Sequence, residues 1–476
     1  MDHKADIGLI GLAVMGENLV LNLERNGFSV AIFNRHTNKV DSFIRGRGNG
    51  KKIIPCYSSA ELCAALTSPR RILLMVKAGD PVDELIAALL PHLDPGDILI
   101  DGGNSFFKDT IRRYHQLAEK GIFFVGAGIS GGEKGALYGP SIMPGGDSRA
   151  WQIIKPLLQK IAAKTENDIP CCEWIGSDGA GHYVKMVHNG IEYGDMQMIC
   201  DAYGIMKNLL GLSANEIAVV FEQWNQGNLN SYLIGITAAI LRKKDPQTGQ
   251  PLVDMILDRA GQKGTGKWTV ESALELGIAT PSFTDAVFMR FISVLNSERN
   301  TFSHLIPRPI PEFSGERKEF IESLRQALYA SKICSYAQGF HLMYAAAKEY
   351  GWTLDFASIA RIWQNGCIIR AVFLEKIAAA FEKEQSLSHL FMDEFFASEL
   401  IQCQAAWRSV ISQAVSGGIP VPAFSGALSY FDCLCSEKLT INLLQAQRDF
   451  FGAHCYERID QHAGEFFHTE WETEDQ

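Results

Sequence analysis

The sequence predicts an α/β N-terminal part built on a doubly wound, parallel sheet, followed by a large all-α domain and a C-terminal tail. Three observations carry this prediction. Short apolar runs alternate with helical stretches as far as a glycine cluster, Gly176, Gly179 and Gly181. From His182 onward strand signals almost vanish, and long segments with a 3.6-residue period take over. A chain of 476 residues is also too long for one ordinary core. The expected divisions are 1–178 for the sheet domain, 179–445 for the helical domain and 446–476 for the tail.

Composition narrows the function classes. The formal net charge of −10 argues against nucleic acid as a partner. No apolar run approaches the roughly 18 residues of a membrane helix, so no membrane partner is expected. The polar start, Met1 to Asp6, leads straight into a strand-like run, which sets the expectation of a cytoplasmic protein without a secretory signal. The 11 cysteines are scattered, without a C-x-x-C pair or a Cys/His zinc spacing. They are expected to be free buried thiols, and no metal site is expected.

The first strand is Asp6 to Gly11. It runs into Gly11, Leu12, Ala13, Val14, Met15 and Gly16, a G-x-A-x-x-G turn followed by a helical pattern through Leu19 and Leu23. Glycine at 11 permits the tight turn, a small residue at 13 lets a pyrophosphate approach, and glycine at 16 lets the helix pack on the strand. The phosphates would meet the unpaired N–H groups of the helix N-terminus. This makes the domain Rossmann-like. The second strand, Ser29 to Asn34, ends where an NAD enzyme carries an acid for the ribose 2′-hydroxyl. Here Asn34, Arg35 and His36 follow instead. With no carboxylate to repel a 2′-phosphate and a guanidinium to bind it, NADP is favoured over NAD.

Further strands are expected at Arg71–Val76, Asp97–Asp101 and Ile122–Val125, with one more around Cys172–Ile175. Ligands of such sheets sit beyond the carboxyl ends of the strands. The loops there are Val76, Lys77 and Ala78; Gly102 to Ser105, including Asn104; and Ser130, Gly131 and Gly132. Gly135 to Gly146 reads as a turn-rich connection.

Helical segments are expected at 182–208, 214–243, 319–350, 355–383 and 388–415. The first carries Lys185, His188, Asn189 and Glu192 at i, i+3, i+4 and i+7, with Tyr193 next. That spacing puts the four on one face, suited either to solvent or to the lining of a polar cleft. Gly261 to Lys267 has P-loop spacing, but Trp268 stands where a Ser or Thr would hold Mg²⁺. The loop is therefore either a basic surface loop or a site for one phosphate through its N–H groups and Lys263. Arg448 and His454 lie among aromatics near the C-terminus, and the final residues Glu470, Glu472, Glu474 and Asp475 are acidic and expected to be exposed.

Taken together, these motifs resemble the decarboxylating 6-phosphogluconate dehydrogenases. The likeness includes G-L-A-V-M-G, V-K-A-G, I-D-G-G-N, S-G-G-E-x-G-A, H-x-V-K-M-V-H-N-G-I-E-Y-G-D-M-Q, K-G-T-G-K-W-T, G-C-I-I-R and Q-A-Q-R-D-x-F-G-A-H, in order from about residue 7 to 471. It departs at His36, where a small hydroxyl residue is usual, and at Cys455, where threonine is usual.

The resemblance implies oxidative decarboxylation of 6-phospho-D-gluconate by NADP to ribulose 5-phosphate, CO2 and NADPH, in the pentose phosphate pathway. It implies Lys185 as the base at the 3-hydroxyl and Glu192 as the later acid. Asn104, Ser130, Gly131, Gly132, His188 and Asn189 would hold the sugar acid. Tyr193, Lys263, Arg290, Arg448 and His454 would hold the phosphate end, the last two in the other subunit's site of a homodimer. Two alternatives are a related β-hydroxyacid dehydrogenase with another substrate, and a non-enzymatic NADP-binding sensor. The cations Lys263, Arg290 and Arg448 speak against the first, and intact Lys185 and Glu192 against the second.

Overall fold

A computed structural model of the chain describes residues 4–471; of the acidic C-terminal residues, Glu472, Glu474 and Asp475 lie outside that range. The chain divides into two compact units, Met1–Ala427 and Leu428–Gln476.

In the first unit an eight-stranded sheet is formed by β1 Ile7–Ile10, β2 Val30–Phe33, β3 Ile53–Pro55, β4 Arg71–Leu74, β5 Ile98–Asp101, β6 Phe123–Ser130, β7 Ser141–Gly146 and β8 Gly176–Ser177, in the order β3-β2-β1-β4-β5-β6-β7-β8. All neighbours are parallel except β6 and β7. Successive strand residues face opposite sides, so one run feeds two cores. Ile7, Leu9, Leu73, Ile98 and Ile100 pack on the side of helices Val14–Arg25 and Ser148–Ile161. Ile10, Ile72, Leu74 and Leu99 pack on the opposite side, with Val82, Ile86 and Leu117.

Two sequence expectations for this domain are corrected. The turn-rich stretch from Gly135 to Gly146 is the end of a helix, Gly132–Tyr138, and the strand β7. Its glycines and prolines hid a strand that is buried throughout and antiparallel to β6 over six residue pairs. The strand expected around Cys172 is an isolated bridge from Cys172 to Ile142, with β8 starting at Gly176.

The helical part of the first unit is built around helices Ala180–Asn208 and Arg317–Tyr350. The long segments expected at 214–243 and 355–383 are each broken in two. The first break follows from local polar bonding: Asn225 accepts from the Ser231 N–H through its side chain and from the Asn230 side chain through its carbonyl. Ser231 then caps Tyr232–Arg242 through the Ile234 N–H. Helices Thr265–Glu275, Pro281–Ser293, Asn296–Leu305 and Pro422–Leu434 were not anticipated.

The cysteine expectation holds in part. Cys56, Cys63, Cys171, Cys172, Cys367 and Cys403 are buried, whereas Cys200, Cys433 and Cys435 are exposed. Among the described residues no helix is long and apolar enough to cross a membrane, and no group of three or more His, Cys, Asp and Glu side chains could hold a metal ion.

In the second unit, helix Ile441–Gly452 precedes a two-stranded antiparallel hairpin of β9 Tyr456–Glu457 and β10 Phe466–Phe467. Its organiser is buried Asp449. That carboxylate accepts from His468 Nδ1 at 2.9 Å, Trp471 Nε1 at 2.8 Å, and the backbone N–H groups of Thr469 and Cys455 at 3.0 Å each. Burial opposes its charge, but these donors outweigh that and lower its pKa to about 2.

Candidate active site

The groove at the carboxyl ends of β1, β2 and β4 is made largely by backbone. Gly11 has φ +108°, and a Cβ there would press on the Met75 backbone. A Cβ on Gly16 would overlap the Gly11 carbonyl, so the helix Val14–Arg25 can start this close to β1 only with glycine there. Its N-cap, Ala13, offers no side-chain hydrogen bond to the first turn, which leaves N–H groups for an anion. Asn34 fixes the turn by accepting from the Leu12 N–H at 2.9 Å and donating to the His36 carbonyl at 3.0 Å.

A cavity of about 490 Å³ opens here. Of the residues expected to bind cofactor, Gly11, Leu12, Ala13, Asn34, Arg35, His36, Val76 and Lys77 line it; Val14, Met15, Gly16, Ala78 and Asn104 lie outside its lining. Lys39, which sequence reasoning missed, joins Arg35 and His36 in the wall. It lies in the first turn of helix Thr37–Arg45, just after the Asn34–His36 stretch, so its closeness in sequence was a usable signal. Arg35, His36 and Lys39 give this wall a basic character, and Glu84 lines the same cavity.

The second part of the site lies on helix Ala180–Asn208. Gly181 brings its N-terminus against the sheet, where a Cβ would press on the Gly145 N–H and the Met143 carbonyl, both 2.6 Å away. One turn on, the stem of Lys185 lies against β6; a Cβ on Gly128 would stand 2.7 Å from Lys185 Cγ. The polar stripe is therefore buried: Lys185 is 5 % exposed, His188 0 % and Asn189 7 %. The solvated reading of this stripe does not hold, because the β6 end and the loop at Trp363 cover it.

These side chains form one connected array. Lys185 Nζ donates to Asn189 Oδ1 at 2.7 Å and lies 3.3 Å from His188 Nδ1. His188 Nε2 is 3.3 Å from Ser130 Oγ, at the end of β6, and its ring meets Trp363 edge-on at 5.6 Å. Glu192 Oε2 stands 3.8 Å from His188 Nδ1, with the Glu192 side chain 23 % exposed at the open end of the array.

Burial sets the proton affinities. It lowers the Lys185 pKa from its ordinary value against the pull of Glu192, and with Lys185 it holds His188 well below the usual histidine range. Burial raises the Glu192 carboxyl despite Lys185 and Arg290. An amine and a carboxyl thus sit two turns apart, each shifted towards its neutral form.

At the far end, the Arg290 guanidinium stacks 3.4 Å from the Tyr193 ring centroid and donates to the Gly261 carbonyl at 3.1 Å. This ties the loop carrying exposed Lys263 to the array. Asn104 is exposed on the loop after β5, which Asp101 shapes by accepting from Ser105 Oγ at 2.6 Å and the Gly103 N–H at 3.1 Å. Gly131, with φ +123°, caps helix Gly132–Tyr138, whose first residue has φ +62°. Arg448 and His454 are exposed residues of the second unit.

Sequence reasoning missed the support beneath the array. Asp195, one turn past Glu192, is fully buried against Lys332 of helix Arg317–Tyr350, with Nζ–O distances of 2.6 and 2.7 Å. No local signal joins residues so far apart in the chain.

Comparison with known proteins agrees with this architecture. The family model for the NAD binding domain of 6-phosphogluconate dehydrogenase matches residues 6–176, and that for the C-terminal domain matches residues 181–471. The chain belongs to the 6-phosphogluconate dehydrogenase family. It is 55 % identical to the NADP(+)-dependent, decarboxylating 6-phosphogluconate dehydrogenase of Bacillus subtilis, covering 98 % of this chain and 99 % of that one. It is 54 % identical to the decarboxylating enzyme of Ovis aries, over 98 % of this chain and 97 % of the relative. Among solved structures, 6-phosphogluconate dehydrogenase of Plasmodium falciparum superposes with a TM-score of 0.94 at 44 % identity, covering 98 % of this chain and 100 % of that one; it has been determined alone, with NADP+ and with 6-phosphogluconate. The two 6-phosphogluconate dehydrogenase models meet between residues 176 and 181, at the glycines that lead into the helix bearing Lys185.

Proposed function

We propose that the chain oxidises and decarboxylates 6-phospho-D-gluconate to ribulose 5-phosphate and CO2. Bound NADP supplies the hydride acceptor. The observation that carries this reading is the buried array of Lys185, His188, Asn189 and Glu192, with Ser130, at the sheet end beside the dinucleotide groove.

The groove residues Gly11, Leu12, Ala13, Asn34, Arg35, His36, Lys39, Val76 and Lys77 hold the cofactor, with Val14, Met15 and Gly16 forming the helix start, and Ala78 and Asn104 closing the nicotinamide side. Ser130, Gly131, Gly132, Asn104, His188 and Asn189 hold the sugar acid. Tyr193, Lys263 and Arg290 receive its phosphate.

Lys185, shifted towards its neutral form by burial, takes the proton of the 3-hydroxyl as the C3–H bond breaks. The resulting ketone lies β to the carboxylate. Protonated Lys185 then gives that proton to the ketone oxygen as the C–C bond to CO2 breaks, leaving an enediol and neutral Lys185. Glu192, shifted towards its protonated form by burial, delivers a proton to the carbon that CO2 left. The enediol hydroxyl returns its proton to Lys185 as the ketose forms. The chain needs no metal for any of these proton transfers.

The domain division follows the same reading: 1–178 binds cofactor, 179–445 binds substrate, and 446–476 is a tail. The tail serves a second copy in a homodimer, with Arg448 and His454 reaching the other copy's phosphate site. Exposed Ile441, Leu443, Phe450 and Phe451 on helix Ile441–Gly452, which leads into and begins the tail, give that copy an apolar surface to cover. The reading places the enzyme in the pentose phosphate pathway and in the cytoplasm.

Incubation with NADP and 6-phosphogluconate should give NADPH absorbance and CO2 in equal amounts. NADPH without CO2 would point to a simple β-hydroxyacid dehydrogenase, and neither product to a cofactor-binding protein. Sedimentation should show a dimer that is lost when residues 441–476 are removed.

A further inference from the structure

We infer that Arg113 is a positioning residue: it locks the loop that carries Asn104 to the rim of the dinucleotide groove, and so sets the approach of the nicotinamide to the 3-carbon of the substrate. The inference rests on the reaction proposed above and concerns a residue that lines neither the groove nor the polar array.

A buried guanidinium needs a reason. Arg113, on helix Phe107–Ala118, is 1 % exposed. Buried ion pairs give little net stability over well-packed apolar side chains, so stability alone does not supply that reason. What Arg113 offers instead is a rigid, planar fork of donors. The segments it reaches all carry or support residues of the proposed site.

On the groove side, Nε and Nη2 donate to the Asp83 carboxylate at 2.9 and 2.7 Å, and Nη2 also donates to the Gly79 carbonyl at 3.0 Å. Gly79 ends the loop of Val76, Lys77 and Ala78. Asp83 lies on helix Asp80–Leu89, whose Pro81, Glu84 and Leu85 line the cavity. On the other side, Nη1 stands 3.7 Å from Asp101 Oδ2, an ion pair with both partners sealed from water. That carboxylate bonds Ser105 Oγ and the Gly103 N–H, so it shapes the turn on which Asn104 sits. The turn also abuts the groove directly: a Cβ on Gly103 would stand 3.2 Å from the Val76 carbonyl oxygen. One turn before Arg113, Thr110 Oγ1 lies 2.7 Å from His182 Nδ1, in the first turn of the helix that bears Lys185. Through one buried face, helix Phe107–Ala118 thus joins the groove rim, the Asn104 turn and the helix of the polar array.

The fork makes this a strut and not a filler. Asp83 takes two parallel bonds, which fix the direction of the guanidinium plane as well as its distance. Hydride transfer responds to displacement on that scale, since misplacing reacting atoms by about 1 Å costs about a hundredfold. Asp83 is also the end that can be cut cleanly. Its side chain is 35 % exposed and accepts from Arg112 at 3.0 and 3.1 Å. Its loss leaves no interior charge unpaired, because Arg113 keeps Asp101.

The test is stopped-flow measurement of NADPH formation with saturating enzyme in excess over 6-phosphogluconate and with saturating NADP. It compares the full-length chain with Arg113→Lys, Asp83→Ala and the double variant. With enzyme in excess, an inactive fraction of chain does not change the rate constant, so a merely structural role leaves it where it was. Arg113→Lys keeps the charge but loses the fork, and its rate constant should fall roughly 10- to 100-fold. Asp83→Ala should slow the same step by about tenfold. NADPH affinity should stay unchanged in both, because neither residue lines the groove. The double variant should be no slower than Arg113→Lys alone, because both changes cut one strut. A rate constant equal to that of the unmodified chain in the single variants, whatever their Tm, overturns the inference and leaves Arg113 a stabilising residue. So do losses that multiply in the double variant, or a weakened NADPH affinity with the rate constant intact. If Arg113→Lys does not fold, the rate constant of Asp83→Ala decides by itself. If the unmodified chain makes no NADPH from 6-phosphogluconate, the proposed reaction itself fails, an outcome distinct from failure of the strut.

Discussion

The dinucleotide groove and the catalytic helix stand side by side in one unit but are made from different materials. The groove is backbone and surface: a turn at Gly11, a close approach at Gly16, and exposed Arg35, His36 and Lys39 along its wall. The helix site is side chain and interior: Lys185, His188 and Asn189 are all nearly inaccessible, and their proton affinities follow from that burial. Binding a cofactor needs shape and fixed donors, which backbone supplies cheaply. Moving protons at neutral pH needs shifted affinities, which only desolvation and neighbouring charge supply.

Removing Lys185 should separate the two regions most sharply. Lys185→Ala is expected to lower kcat by about 10² to 10⁴-fold or more, with NADP affinity unchanged, because Lys185 does not line the groove. Steady-state rates and a fluorescence titration with NADPH check both halves; wild-type-like NADPH production would remove Lys185 from the role of base.

The pH profile tests the cause of that dependence. In the proposed reaction activity requires neutral Lys185, so the acid limb should report its pKa, which lies below the ordinary 10.5. It also requires protonated Glu192, so the alkaline limb reports a carboxyl raised above the ordinary 4.5. Rates should therefore rise with pH through the first and fall through the second. Glu192→Gln should slow turnover and remove the alkaline limb while NADP binding persists at all pH values tested.

Asp195→Asn breaks the support of the helix rather than the site. It leaves the Lys332 ammonium buried without its carboxylate, at a cost of about 3–5 kcal/mol, read as a large fall in Tm. Replacing both partners, as Asp195→Leu with Lys332→Met, should recover most of that loss. A single variant as stable as the unmodified chain would show that solvent reaches Lys332.

The smallest effect belongs to the groove. Arg35→Ala or Lys39→Ala is expected to weaken NADP roughly tenfold each, because an exposed cation gains only part of a charge-assisted bond. Affinity for NAD should not change. Equal losses for both cofactors would mean that these side chains meet the pyrophosphate and not the 2′-phosphate.

The contrast between the regions also explains what could be read from the chain. The groove was legible because its requirements are local: Gly11, Ala13 and Gly16 are neighbours, and Arg35 follows the next strand by a short interval. The stripe from Lys185 to Tyr193 was legible as a helix face, but not as buried or exposed. Antiparallel β7 was hidden because its glycines and proline follow close packing against β6 and the glycine-led helix at 181, not turn formation. The breaks at 225–231 and 363–373 interrupt apolar patterns that continue on both sides, so periodicity passed over them.

By itself, therefore, the sequence determined the alternation of strand and helix at the start, the dinucleotide turn and the one-face spacing of Lys185 and Glu192, since these depend on residues within two turns or one loop of each other. Only the tertiary structure decided that the face is dry, that Ser130 and Trp363 close on His188, and that Lys332 lies against Asp195. Those contacts join residues 58, 175 and 137 positions apart in the numbering. Burial is a property of everything that packs on a site, and no spacing within one helix records it.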